Sequence, residues 1–568
     1  MKIYDIEKVR NPIIYISIAL ILGSLFWGMY NNKYIWLAVL TVSLFFIVTY
    51  LNSNFSFLLI ILLFFVLGVF NNFNYYNLRL GESFTGDVVI AEVKPYYKMG
   101  NYKGRLVYIE GTKDEVKIGH KINVTGKFCE KIDFEKGTIG TLKVSRINGV
   151  EETLKRKLYK LREKIYEELK ENVGERKSAL VSSVAFGYTD HIDEDDEEEM
   201  RNLGVIHVIS VSGLHVALIY SVLKRITGIK ISLIFTIIYV MLTGAAFSSI
   251  RALIMIILLS LAVVVRKTYN PLAAIAFSAG MITLFNPYAP FKIGFELSFL
   301  ATLGIVLFAK PMQRKLYRLP SYLSDTLCIS ISAQILTLPI MLMQFGQCSI
   351  LSLLGNLILV PIINLLIYLG NIMLIAVYIP KLFDFLSYII LKVINILDTV
   401  TSYFDLFFSG SIFVNKNIVI FYCFILLSFY FFKCGKRKAV VLPLAALIVL
   451  AFNIYSPILR VSYLNKGSLL ISYRGERKII SNARNVDMKK LKAQNMAEEG
   501  YRKAERISIG EDIKMTLKDK DYLLNLKGRE YLLRLNNKTN ECENYDIIDF
   551  VNKEAEGFYI IKDKLYCF

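Results

Sequence analysis

The sequence predicts a polytopic α-helical membrane protein of about thirteen transmembrane helices, some of them broken, with a small extracellular β-barrel and a short α+β extracellular C-terminal domain. Three observations carry that prediction. Of 568 residues, 54% are apolar and the mean hydropathy is +0.45, outside the habit of soluble globular chains. Apolar runs of roughly 16 to 25 residues recur, the length that crosses a hydrocarbon layer about 30 Å thick. Two stretches, 81–150 and 456–568, replace those runs with shorter and more polar ones.

Residues 1–74 hold the first three runs, near 12–31, 34–51 and 55–71. Lys8 and Arg10 precede the first, and no small-residue cleavage site follows it, so it reads as a retained anchor. Residues 75–150 form the next region, where "GDVVIAEV", "GRLVYIEG", "HKINVTGKF" and "GTIGTLKVSRI" alternate apolar and polar positions between Gly, Lys and Asp. Strands of that number and length suit an oligonucleotide-binding (OB-like) barrel. Lys94, Tyr96, Tyr97, Lys98, Tyr102, Lys103, Arg105 and Tyr108 interleave aromatic rings with positive charge, the residue types that stack bases and neutralise phosphate. They are the candidate DNA-binding residues, although tyrosines are also ordinary strand formers and the chain has 35 of them.

Residues 151–200 begin as a charged helix over 151–179, with Leu154, Leu158, Leu161, Ile165 and Leu169 at helical spacing, suited to a membrane surface or to the barrel. The run "DEDDEEEM" that follows reads as a solvated loop. Residues 201–455 carry roughly ten more apolar runs. Residues 456–568 are basic and mostly of strand pattern.

The net charge of +19 fits two uses. Basic clusters at Lys2–Arg10, Lys224–Lys230, Arg266–Lys267, Lys310–Arg318 and Lys433–Lys438 are all cytoplasmic if the N-terminus is inside, which places 75–200 and the C-terminal domain outside. Lys and Arg remain abundant in those outside segments, as a polyanion partner would require. Seven cysteines form no zinc spacing; Cys129 has no partner in its segment, and Cys542 and Cys567 could pair, but free thiols are the expectation.

Polar groups inside the second helical region need a reason, because each is costly in lipid. Arg251, Glu296, Gln334, Asn356 and Asn364 stand in apolar runs, near Gly or Pro. They fit either a hydrated path along broken helices or, for Arg251 with Glu296, a buried structural pair. In "VIHVISVSGLHVALIYS", His207 and His215 would lie about 80° apart on a regular helix and two turns distant. One metal cannot take both there. Ser212 and His215 are three residues apart and can face each other, but no carboxylate lies nearby in sequence to orient the imidazole.

These residues resemble a known family. "GVIHVISVSGLHVALI" is similar to the Gly, His and Ser-Gly-Leu-His signature of the competence-type DNA-uptake channels (ComEC). "LTGAAFSSIRALIM", "NPYAPFKIGFELSFLATLGI" and "AQILTLPIMLMQFGQCSILSLLGNLILVPI" resemble its later elements in the same order. The likeness covers roughly residues 1–455, the early helices and barrel included. It implies a channel in the cytoplasmic membrane that passes one strand of DNA inward during natural competence, the other strand being degraded. Carried over by position, Gly204, His207, Ser212, Gly213, His215, Arg251, Glu296, Gln334 and Asn356 are the channel residues.

The resemblance weakens at the C-terminal end. Many members carry a metallo-β-lactamase-like domain there with His- and Asp-rich metal motifs. In this chain no histidine follows His215, and Leu464, Asn465, Lys466, Gly467 and Ser468 stand where the family often has Asp-Val-Gly-Gln-Gly-Asp. The expectation is a degenerate remnant of that domain, with no metal, no cofactor and no nuclease activity. The chain is then a transporter rather than an enzyme. The expected partners are DNA, lipid, a surface DNA receptor, a separate nuclease, a cytoplasmic helicase-like motor and further copies of the chain. The alternatives are a permease for another anionic solute and an intramembrane serine hydrolase built on Ser212 and His215.

Overall fold

The computed structural model describes residues 11–31, 35–78, 81, 83–94, 96–112, 116–407, 411–433, 435, 441–464, 467–481, 487–502, 505–509, 513–518, 521–526, 529–535, 546–550, 557–561 and 564–567. Its contacts divide the chain into two units, Met1–Thr337 with Ile350–Gly410, and Leu338–Ser349 with Ser411–Phe568.

In the first unit, α1 (Pro12–Asn31), α2 (Ile35–Asn52) and α3 (Phe55–Tyr76) occupy the early apolar runs. Gly23 and Gly68 let α1 and α3 touch: a Cβ on either would fall 2.2 Å from the Phe65 carbonyl oxygen or 2.3 Å from that of Leu20. Close backbone approach of this kind supplies the packing that lipid-exposed helices cannot obtain from the hydrophobic effect.

Strands β1 (Ser83–Lys94), β2 (Tyr97–Tyr102), β3 (Arg105–Glu110), β4 (His120–Asp133) and β5 (Thr138–Glu152) close into a barrel in the order β1-β2-β3-β5-β4. Only the β3–β5 pairing is parallel. Val88, Ile90, Val107, Ile109, Ile122, Val124 and Leu142 fill it. The barrel is tied to the end of α3, where the Tyr75 hydroxyl donates to the Gly137 carbonyl and accepts from the Leu106 amide, both at 2.9 Å.

The charged helical stretch is two helices, α4 (Leu154–Val173) and α5 (Glu175–Phe186), because Gly174 at φ 88° breaks it. Every residue of α5 from Ser178 to Phe186 is buried, which its small side chains permit. The acidic run is not a loop but the helix α6 (Glu194–Asn202). Four carboxylates in its first turn suit the positive end of the helix dipole, and Arg176 holds the buried Asp196 at 2.6 Å.

Helices α7 (Gly213–Leu242), α8 (Phe247–Val264), α9 (Pro271–Phe285), α10 (Ile293–Lys315), α11 (Ser321–Phe345), α12 (Ser352–Ala376) and α13 (Pro380–Phe407) follow, and the division between units falls within α11. α7 doubles back at Gly228, whose φ of 78° and ψ of 178° are not helical. Straight, its 30 residues would span about 45 Å. Yet a Cβ on Gly187 would lie 3.2 Å from both Val211, just before α7, and the Thr243 carbonyl at its far end.

The second unit holds β6 (Gln347–Ser349) paired with β7 (Ser411–Phe413), then α14 (Lys416–Lys433) and α15 (Val441–Tyr455). Its C-terminal part stacks two sheets, with one helix, α16 (Met488–Asn495). One sheet is β8 (Leu459–Leu464), β9 (Ser468–Tyr473), β10 (Glu476–Ser481), β11 (Glu499–Arg502), β17 (Gly557–Ile561) and β18 (Lys564–Cys567); the other is β12 (Arg506–Ile509), β13 (Ile513–Lys518), β14 (Asp521–Leu526), β15 (Arg529–Arg534) and β16 (Asp546–Asp549).

Eight described helices are long and apolar enough to cross a membrane: α1, α2, α3, α7, α8, α10, α11 and α12. Pro271–Phe285, Lys416–Phe432 and Val441–Tyr455 are apolar but shorter, so the expected thirteen is not reached by that measure. The chain is nonetheless a multi-pass membrane protein with a barrel domain. Among the described cysteines Cys129, Cys328, Cys348, Cys423 and Cys567 are free thiols. Cys542, Asn465, Lys466, the cluster Lys2–Arg10 and most of Lys433–Lys438 lie outside the described residues.

Candidate functional site

The Ser-Gly-Leu-His stretch is the start of a helix rather than the middle of one. His207 sits exposed in a 3-10 turn over Ile206–Val208, the chain bends at Ser210, Ser212 is extended, and α7 begins at Gly213. The regular-helix spacing expected for His207 and His215 therefore does not apply. Gly204, at φ 74°, ends α6 and turns the chain toward this break.

Ser212 caps α7. Its hydroxyl accepts from the Leu214 amide at 3.2 Å and lies 2.8 Å from His215 Nδ1, which also accepts from the Ser212 amide at 3.1 Å. This is a capping box with histidine in the place usually taken by Glu or Gln. It leaves the ring proton on Nε2, the tautomer assigned from this bonding pattern. No carboxylate bonds to His215 among the described residues, so the pair lacks the third group of a hydrolytic triad.

Arg251, one turn into α8, closes on the same break. A Cβ on Gly213 would lie 2.5 Å from its Nη2, so glycine is what lets the guanidinium reach the helix start. Ser248 and Ser249 fix the approach by donating to the Val211 carbonyl at 3.1 and 3.4 Å. Arg251 is 9% exposed and its Nε has no partner. Among the described residues it forms no ion pair, with Glu296 or otherwise; the electron-rich face of the Phe299 ring lies 6.0 Å away. Glu296 is half-buried in the first turn of α10. A buried cation without a counterion costs several kcal/mol, so this arrangement is unfavourable as mere packing.

Gln334 and Asn356 are used differently. Gln334 donates to Ser352 at 3.1 Å and Asn356 to Ser330 at 3.2 Å, joining α11 to α12. Next to Asn356, a Cβ on Gly355 would meet the Leu203 carbonyl at 2.4 Å, which seats α12 against the turn that leads to the break.

The barrel residues separate into three groups. Tyr97 and Tyr108 meet edge to face at 6.0 Å, with Lys136 over Tyr97 and the Tyr108 hydroxyl donating to Asp133 at 3.1 Å. Burial, then Asp133, pushes Tyr108 up to about 12, so its hydroxyl stays a donor. Tyr96 is 94% exposed, and Lys103 lies over the ring of Tyr102 in the β2–β3 hairpin, where Tyr102 also packs on Phe84. Arg105 turns to α3 instead, donating to the Asn74 and Tyr75 carbonyls at 2.8 and 2.9 Å, the free acceptors of a helix C-terminus. Lys98 donates to the Thr112 carbonyl at 3.4 Å, and Lys94 lines a cleft between β1 and α4.

Sequence reasoning missed the residues that couple barrel and helices. Tyr288 meets Tyr75 at 5.4 Å and touches Phe247 at 6.1 Å; Phe247 meets Phe295, and Phe295 meets Phe299 beside Arg251. A continuous aromatic line thus runs from the barrel's foot to the break. The Asn-Pro segment before Tyr288 was the available signal, since such a turn sets the residues after it beside the preceding helices.

A family model described as "Competence protein" matches residues 184–438, which contain the break, Arg251 and the α11–α12 clamp. Over that stretch the chain is similar to the competence-protein family. The match stops short of the barrel on one side and the C-terminal sandwich on the other. The chain is 33% identical over 193 residues to "ComE operon protein 3" of Bacillus subtilis, covering 32% of this chain and 24% of that protein. An uncharacterized protein of Aquifex aeolicus is 29% identical over 160 residues, 27% of this chain and 39% of its own length. The similarity thus spans about a quarter and about two fifths of those relatives. No solved structure matches the chain.

Proposed function

We propose that this protein acts in DNA uptake during natural competence, as a channel passing single-stranded DNA across the cytoplasmic membrane. The observation that carries the reading is a stretch similar to the competence-protein family in which a buried, unpaired Arg251 is seated on a glycine at a broken helix start. A cation held dry and uncompensated is suited to offset a phosphate in transit. The barrel, OB-like in its strand number and closure, would receive the strand outside on Tyr97, Tyr108 and their lysines, and the aromatic line beneath it leads to Arg251. The N-terminus and the basic loops are then cytoplasmic, with the barrel and C-terminal sandwich outside. No P-loop occurs in the sequence, so the pull comes from a separate motor or the membrane gradient, with a surface receptor and a separate nuclease feeding the channel.

The C-terminal sandwich takes no catalytic part in this reading, because its sequence has no histidine. The test delivers labelled duplex DNA to cells and scores single-stranded label protected from external nuclease. Protected label is expected to vanish on deletion and to return with the intact gene but not with His215→Ala. Its persistence in the deletion strain would overturn the channel.

A further inference from the structure

Between β1 and the helical core lies a cleft of about 150 Å³. The cleft is roomy enough for several waters, and hence for a small polar group. Its walls are Glu92 and Lys94 at the end of β1, Tyr159 and Arg162 on α4, and Tyr188 and Asp190 in the turn between α5 and α6. Arg162 is 4% exposed, and its guanidinium lies 3.6 Å from the Tyr159 ring centre and 5.5 Å from that of Tyr188. Nη1 donates to the Phe186 carbonyl at 3.1 Å, while Nε has no partner. Neither Glu92 nor Asp190 forms an ion pair with it among the described residues, so a stacked cation and two acceptor carboxylates line one small opening.

We propose that this cleft is a base slot, which takes one nucleobase of a single strand as the strand leaves the barrel for the core. The inference rests on the DNA-translocation reading. Guanidinium and tyrosine planes are the surfaces on which unpaired bases stack. Two carboxylates argue against a phosphate occupant, by like charge, and for the exocyclic amino groups of a base, which donate to Asp and Glu. Lys94, at the mouth, is left for the backbone. The slot is also well placed: Gly187, part of its lining, is the residue that touches both Val211 and Thr243, so the Ser212–Gly213 break lies directly beyond. Burial lowers the affinity of Arg162 for its proton.

The test measures binding of oligo-dC and oligo-dT of equal length to the full chain in lipid nanodiscs. Oligo-dC offers an amino group to the slot and oligo-dT does not. The expected result is oligo-dC tighter by about fivefold or more, with the difference removed by Asp190→Ala and reduced by Arg162→Lys. Asp190 is exposed, so its replacement leaves folding intact. Equal affinity for both oligomers in the unaltered protein, or a preference untouched by Asp190→Ala, overturns the slot while leaving the channel reading in place. Binding of neither oligomer overturns both. Competition by inorganic pyrophosphate that abolishes the preference would make the cleft a phosphate site and overturn the base assignment.

Discussion

The chain builds two β folds, and they differ in where some of their polar side chains reach. The barrel turns several of them to its helical neighbours, Arg105 to the end of α3 and Glu92 and Lys94 to the cleft beside α4, and its Gly119 carbonyl accepts from the Thr153 hydroxyl at the start of α4. In the strands of the C-terminal sandwich several buried ones bond to groups of the sandwich itself. Ser468 donates to Ser481 at 2.8 Å, Arg477 to Ser472 at 3.3 Å, Arg534 to Asp549 at 3.4 Å, and Asp521 accepts from the Leu535 amide at 2.8 Å. A small β fold takes on a role through the polar groups it turns to a neighbour. By that criterion the proposed transport chemistry is expected in the first unit.

The strongest way to break this contrast is at Arg251. Arg251→Ala should lower protected-label uptake at least a hundredfold, about 3 kcal/mol, while surface DNA binding stays intact. Lys514→Ala removes one exposed positive charge from the sandwich instead and should leave uptake within about twofold. Comparable losses from both would show that net charge, not placement, governs transport.

A sharper version separates residues within the barrel. Replacing Tyr97 and Tyr108 together by Ala should weaken single-strand binding by about tenfold or more, since each stacked base is worth about 1–3 kcal/mol. Arg105→Ala, from the same candidate set, should leave binding near its original value and instead loosen the barrel from α3, read as faster hydrogen exchange in β2 and β3. Equal binding losses in both variants would return Arg105 to the DNA surface.

That division explains what the sequence could convey. The apolar runs announced α1 to α3 because lipid-facing helices need little beyond length and hydropathy. Four of the five barrel strands were legible by alternation, but β2 was not: "YKMGNY" has no β-branched residue, and its Gly100 is required because a Cβ would strike Val88 at 2.3 Å. The acidic run hid α6, since its helical form depends on Arg176 reaching Asp196 across 20 residues of sequence. At the site, Ser212, His215 and Arg251 were found from their cost in lipid, which any single residue reveals, and Gly213 from the family resemblance. Tyr159, Arg162, Tyr188 and Asp190 were not, because each is ordinary alone and only the approach of β1 to α4 brings them together. The fold-back of α7 was equally hidden, since Gly228 resembles any glycine in an apolar run.

A further prediction tests a joint between the barrel and α4: Lys117, in the loop before β4, reaches Glu163 of α4 at 3.6 Å. Arg156, 5% exposed in its side chain, donates to both oxygens of Glu163, at 2.5 and 2.8 Å. Burial works to raise the Glu163 pKa, and the contacts with Arg156 and Lys117 together more than offset it, so the carboxyl is held below its usual range. A depressed carboxylate pKa stabilises the folded state above the unfolded value, near 4.3, and that stabilisation is lost as pH falls through the folded pKa. Glu163→Gln should therefore cost about 1–3 kcal/mol of local stability at neutral pH, seen as faster amide exchange in α4 and β5. The gap between variant and original protein should close as the medium is acidified below about pH 4, where both carry a neutral group at this position. A gap that persists unchanged in acid would assign the joint to packing, and the barrel's attachment would then rest on Tyr75 and its aromatic neighbours.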